Sequence, residues 1–158
     1  MISKIEHLQK IMADKGLKLS LAESCTGGLI GGGITSFSGS SSYFMGSAVT
    51  YSNESKERIL KVSHQSLIDF GAVSEQVAKE MALGSLHAYG SDIAASVTGI
   101  AGPNGGTKEK PVGTVWMAVT DGKKTMTFEN HFDGSRDSIR AASRDVLIDR
   151  IIEFVETL

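Results

Sequence analysis

Residues 21–34 read LAESCTGGLIGGGI, and the reading of this stretch decides the fold. Leu17 to Ala22 is short, apolar and bounded by Gly16 and a Ser-Cys-Thr cluster, which predicts a buried strand. A helix is expected from about Thr26 to Phe37, ended by Ser38-Gly39. Gly31, Gly32 and Gly33 each cost roughly 1 kcal/mol against alanine inside a helix, a cost that close packing or ligand approach has to justify. Between strand and helix, Ser24 admits three readings. It is a nucleophile beside orphan helix N–H groups, part of a phosphate cradle with the glycine pair, or a helix cap. The motif is neither G-x-S-x-G nor a Gly-Lys-Ser/Thr loop.

Working outward, residues 3–15 place Ile5, Leu8, Ile11 and Met12 at helical spacing. Tyr43 to Tyr51 predicts a second strand. Short helices are expected over 55–60 and 66–70, and Ser74 caps a longer one reaching Tyr89. Ile93 to Thr98 is a third strand, followed by the turn-rich GIAGPNGGTKEKP. Strands at 112–120 and 125–132 flank Asp121-Gly122, a hairpin signal. A helix from Ser135 to about Val155 ends the chain. This order predicts an α/β fold: a three-layer α/β/α single domain over 1–158, with a mixed, mainly parallel β-sheet ending in a hairpin.

Whole-chain properties narrow the partners. With 158 residues, a formal charge of -2 and 22% charged residues, nothing in the charge balance points to nucleic acid or an anionic membrane. No apolar run approaches the roughly 20 residues of a membrane span. The amphipathic N-terminus does not read as a signal peptide. A single cysteine, Cys25, excludes an internal disulfide and fits a reducing, cytoplasmic location.

A nucleophilic serine needs a base. His7, His64, His87 and His131 lie in no pattern that demands one of them. Lys56, in TYSNESK, can serve only if burial or neighbouring cations depress its pKa. The same residues also read as a cap by Ser52 or Asn53 with an exposed lysine. VTGIAGPNGG after the third strand is a ligand loop or a plain turn. Arg136 and Arg140 read as a phosphate clamp or as surface ion-pair partners. No metal-ligand spacing is present, so neither metal nor organic cofactor is expected.

Taken in order, AESCTGG at 22–28, VTYSNESK at 49–56, GAVSE at 71–75 and VTGIAGPNGGTKEKPVGTV at 97–115 closely resemble the CinA C-terminal domain family. The chain is expected to lack the N-terminal domain of larger members. The resemblance implies hydrolysis of the carboxamide of nicotinamide mononucleotide to nicotinate mononucleotide and ammonia, in NAD recycling. By motif it assigns Ser24 as nucleophile, Lys56 as base and Tyr51 as an assisting group. It also points to Ser41, Thr98, Gly99 and an arginine, best matched by Arg136, as supporting or substrate-binding groups. For this chemistry the backbone N–H groups of Thr26, Gly27 and Gly28 are the expected oxyanion hole. The resemblance further implies a homodimer. The competing reading is a catalytically silent, nucleotide-binding regulatory module linked to competence.

Overall fold

The computed structural model describes residues 2–158. Five strands form one sheet in the order β2-β1-β3-β4-β5: β1 (Leu19–Glu23), β2 (Phe44–Val49), β3 (Ile93–Gly99), β4 (Thr114–Thr120) and β5 (Thr125–His131). The pairs β2-β1 and β1-β3 are parallel, whereas β3-β4 and β4-β5 are antiparallel. The mixed sheet ending in a hairpin thus has a parallel half and an antiparallel half. One face carries α1 (Lys4–Lys15), α2 (Leu29–Thr35) and α6 (Arg136–Glu156); the other carries α3 (Asn53–Leu60), α4 (His64–Phe70) and α5 (Glu75–Tyr89).

The two-residue period of the strands sorts the layers. Leu19 and Leu21 of β1, with Ile93, Ala95 and Val97 of β3, enter the larger core with Leu8, Met12, Ile30 and Leu147. The alternate residues are small: Ser20, Ala22, Ala94, Ser96 and Ala118. Small side chains let α5 lie close to the sheet, and its own groups satisfy the buried hydroxyls. Ser96 Oγ donates to Ala78 O at 2.6 Å, and Ser20 Oγ meets Ser85 Oγ at 2.8 Å. Helix α3 approaches α5 equally closely. A Cβ at Gly84 would overlap the Leu60 carbonyl, so this helical glycine sets how deep α3 sits.

The expected elements form, with one instructive difference. The helix after β1 begins at Leu29, not near Thr26. Gly27 and Gly28 have φ of 58° and 101°, left-handed values that glycine adopts without a Cβ penalty, and residues 25–28 form a turn. Gly28, not Ser24, is the N-cap, so the serine hydroxyl is not engaged in capping. No helix among the described residues is long and apolar enough to cross a membrane.

Candidate active site

Three neighbouring parallel strands, β2, β1 and β3, deliver their carboxyl ends to one edge of the sheet. Ser24 follows β1, and its N–H donates to Val97 O of β3 at 3.1 Å. Thr50 and Tyr51 follow β2 and lead into α3, whose cap is Ser52. The cap falls on Ser52, but the exposed lysine expected with it does not occur. Ser52 caps α3, and Lys56, one turn in, faces inward at 1% exposure. Lys56 Nζ donates to Ser24 Oγ at 2.9 Å, to Thr50 O at 3.0 Å and to Tyr51 O at 3.3 Å. Burial lowers its pKa from 10.5 to about 8, because water no longer solvates the ammonium.

A cavity of about 290 Å³ opens beside this pair. Its walls include Ser24, Lys56, Tyr51, Thr98, Gly99 and Arg136. Thr98 is buried and donates to Ala72 O at 2.9 Å, tying β3 to the segment before α5. Arg136, at the start of α6, donates to Gly102 O at 2.8 Å and to Tyr51 Oη at 3.2 Å, bridging two walls. Asn53, Asn104 and the Ile100–Gly102 backbone also line the cavity. Sequence reading assigned Asn53 only a capping role and left the loop as weakly specific.

Other candidates are placed elsewhere. Ser41 lies on an exposed single turn, Ser40–Ser42, before β2. That is the opposite edge of the sheet, because β1 and β2 run parallel, and Ser41 does not line the cavity. Thr26, Gly27 and Gly28 form the turn below Ser24 without lining the cavity themselves. Within that turn the Gly27 N–H is already used, donating to Ser24 O at 3.1 Å. Among the described residues no partner meets the Cys25, Thr26 and Gly28 N–H groups; of these residues Cys25 alone lines the cavity, and Thr26 is fully buried. Arg140 is not a cavity residue; its guanidinium binds the Cys25 and Thr26 carbonyl oxygens. His64 is exposed and meets Glu57 at 3.0 Å, away from Ser24.

Glu23 is the residue that sequence reading passed over. Fully buried, its carboxylate accepts from Thr26 Oγ1 (2.7 Å), Ile30 N (2.9 Å), Gly31 N (3.0 Å) and Ser47 Oγ (2.7 Å). The first N–H groups of α2 therefore serve an internal anion. Gly31 has a packing reason too: a Cβ there would stand 3.3 Å from Ser47 Cβ. Cys25, next to the nucleophile candidate, is 6% exposed, and burial pushes its thiol up to about 11. Among the described residues, no group of three His, Cys, Asp or Glu side chains is arranged to hold a metal.

The sequence and the fold as a whole are similar to those of known proteins. A protein of Enterobacter agglomerans described as nicotinamide-nucleotide amidohydrolase PncC is 55% identical over 128 residues, covering 80% of this chain and 77% of the relative. A CinA-like protein of Citrifermentans bemidjiense is 47% identical over 96% of this chain but only 37% of its own length. The chain thus spans about a third of the length of such CinA-like relatives. Among solved structures, competence/damage inducible protein CihA from Agrobacterium tumefaciens superposes with a TM-score of 0.88 at 40% identity, covering 97% of this chain and 96% of that one. A CinA superfamily protein from Escherichia coli gives 0.92 at 32%, covering 96% and 88%. The family model for the CinA C-terminal domain matches residues 2–155, and the chain belongs to that family.

Proposed function

We propose that this chain is a nicotinamide-nucleotide amidase, hydrolysing the carboxamide of nicotinamide mononucleotide to nicotinate mononucleotide and ammonia with Ser24 as nucleophile and Lys56 as base. The observation that carries the reading is the buried Lys56 Nζ, 2.9 Å from Ser24 Oγ at the wall of a cavity. The 55% identity to a protein described as PncC supports the substrate.

The geometry suits a neutral amine. An uncharged lysine has two N–H donors and one lone pair. With the donors on Thr50 O and Tyr51 O, the lone pair is left facing the Ser24 hydroxyl. A pKa of about 8 leaves roughly one Lys56 in ten neutral at pH 7, against about one in 3,000 at 10.5. Lys56 takes the Ser24 proton as Oγ attacks the carboxamide carbon. The unpartnered N–H of Cys25, a residue of the cavity wall, is the donor available to the developing oxyanion. Collapse expels the amide nitrogen, which takes the proton from Lys56 and leaves as ammonia. Lys56 then accepts a proton from water as the hydroxide attacks the ester, and returns it to Ser24. Arg136, Asn53 and Asn104 are the groups placed to orient the nucleotide. Thr98 positions the wall through Ala72.

NAD recycling and a homodimer, which rest on the resemblance, and a cytoplasmic location, which rests on the lone cysteine, complete the proposal. The test is ammonia release from nicotinamide mononucleotide by purified protein in EDTA, with Ser24→Ala as control. Release by wild type alone supports the reading. Nucleotide binding without release favours the regulatory module instead.

A further inference from the structure

Two stretches distant in sequence supply much of the cavity wall: Ala72 and Val73 before α5, and residues 98–105 at and after the end of β3. No strand pairing joins them; side chains do. At the inner end, buried Thr98 donates to Ala72 O at 2.9 Å. At the outer end, half-buried Lys110 Nζ donates to Phe70 O at 2.6 Å.

The outer contact has a local cause. Phe70 ends α4, so its carbonyl has no partner within the helix and lies at the negative end of the helix dipole. A Cβ on Gly71 would stand 3.2 Å from Lys110 Nζ, and the glycine thus leaves room for the ammonium.

The loop that carries Lys110 is folded upon itself. Thr107 N–H donates to Lys110 O at 2.9 Å, and Lys110 N–H donates to Thr107 Oγ1 at 3.0 Å. Gly102 and Gly106 both lie against Val112: a Cβ on the first would overlap its side chain, and one on the second would stand 2.8 Å from its nitrogen. Val112 in turn packs on the larger core. Residues 103–109 are otherwise exposed. Two cations therefore hold this unit to its surroundings, Arg136 through Gly102 O and Lys110 through Phe70 O. Because the loop is tied internally, a shift at Lys110 is carried to Asn104 and Gly105, which line the cavity.

We infer that Lys110 is a positioning residue for substrate binding: by holding Phe70 O it fixes Asn104 and Gly105 relative to Ala72 and Val73, and so shapes the wall that receives the nucleotide. This rests on the proposed nucleotide substrate.

The experiment compares wild type, Lys110→Met and Lys110→Arg in three measurements. These are turnover of nicotinamide mononucleotide, amide hydrogen exchange, and labelling of Ser24 by a fluorophosphonate, in which an Oγ–P bond forms, fluoride leaves and the hydroxyl proton passes to Lys56. Lys110→Met is expected to raise KM about threefold to tenfold, because the wall is no longer ordered before the nucleotide arrives. Both kcat and the labelling rate should stay within about twofold, since Ser24 and Lys56 are untouched. Exchange should quicken in residues 70–73 and 102–110 and nowhere else. Lys110→Arg, which keeps a cationic donor, should bring KM back to within about twofold of wild type. Unchanged KM overturns the inference. So does a fall in kcat and labelling together, which would place Lys110 in the chemistry. Faster exchange across the whole sheet overturns it too, because the contact would then serve stability alone. If wild type binds the nucleotide without releasing ammonia, the amidase reading fails and the ratio of dissociation constants replaces that of KM. If wild type does not bind it, the inference falls with the substrate.

Discussion

On one side of the cavity stand Ser24 and Lys56, 7% and 1% exposed, in a setting where carbonyls, a carboxylate and a guanidinium engage most of the polar groups. On the other stand Tyr51, 62% exposed, and Arg136, with the glycine-rich loop behind them. The first side is held by strand ends and helix packing, the second by a loop and two hydrogen bonds from one arginine. Proton transfer needs a fixed distance and a desolvated amine, and burial supplies both. The proposed nucleotide substrate has to enter and leave, and exposed side chains permit that.

The sharpest way to break this contrast is Lys56→Met. Turnover should fall at least about a thousandfold, since base and proton shuttle are lost together, as ammonia release would measure. Stability should move the other way. Because the folded-state pKa lies below 10.5, the unfolded chain binds the proton more tightly. The penalty is complete below about pH 8 and is relieved as pH rises through the unfolded value. At pH 7 the variant should therefore be more stable, by about 1–3 kcal/mol, in urea titrations. An unchanged or lower midpoint would mean that Lys56 carries no burial penalty.

Gly84→Ala probes the same side from a distance. The new methyl group displaces the Leu60 carbonyl and pushes α3 outward, at a cost of about 1–3 kcal/mol. Because α3 carries Lys56, kcat should drop as well while KM holds. An equally stable variant with full activity would show that the helix contact does not set the reach of the base.

A smaller effect, but a more specific one, is expected in the pH profile. With a base of pKa about 8, kcat/KM should fall about tenfold per unit below pH 7 and level off above pH 9. A midpoint near 10 would mean that Lys56 stays solvated. Smallest of all should be Cys25→Ser, within about threefold of wild-type turnover. The thiol itself should react slowly with alkylating reagents at pH 8, being buried and neutral up to about 11.

What the sequence discloses follows from the range of the forces involved. Strand period, the Ser74 cap and the Asp121-Gly122 turn act over a few residues, and the elements form where that local chemistry places them. Lys56 is different. Within NESKERIL it looks like one more exposed charge, and only the approach of α3 to α5 and β1 buries it. Glu23 is harder still, because its donors come from residues 26, 30, 31 and 47. The family resemblance supplied Ser24 and Lys56, which local spacing left open. It could not supply the separate positions of Arg136 and Arg140, which depend on how α6 crosses the sheet edge.

The buried Glu23 has a consequence for a substrate with two dissimilar ends. The proposed substrate offers a phosphate and a carboxamide, and positive charge left unbalanced next to Ser24 would favour the phosphate. Such an inverted complex would be unreactive and would compete with the productive one. The Glu23 carboxylate, seated on Ile30 and Gly31 one residue before Ser24, places a buried negative charge there instead. On the proposed reading the neutral amide is then the end admitted to Ser24, and the internal anion acts as a filter on substrate polarity.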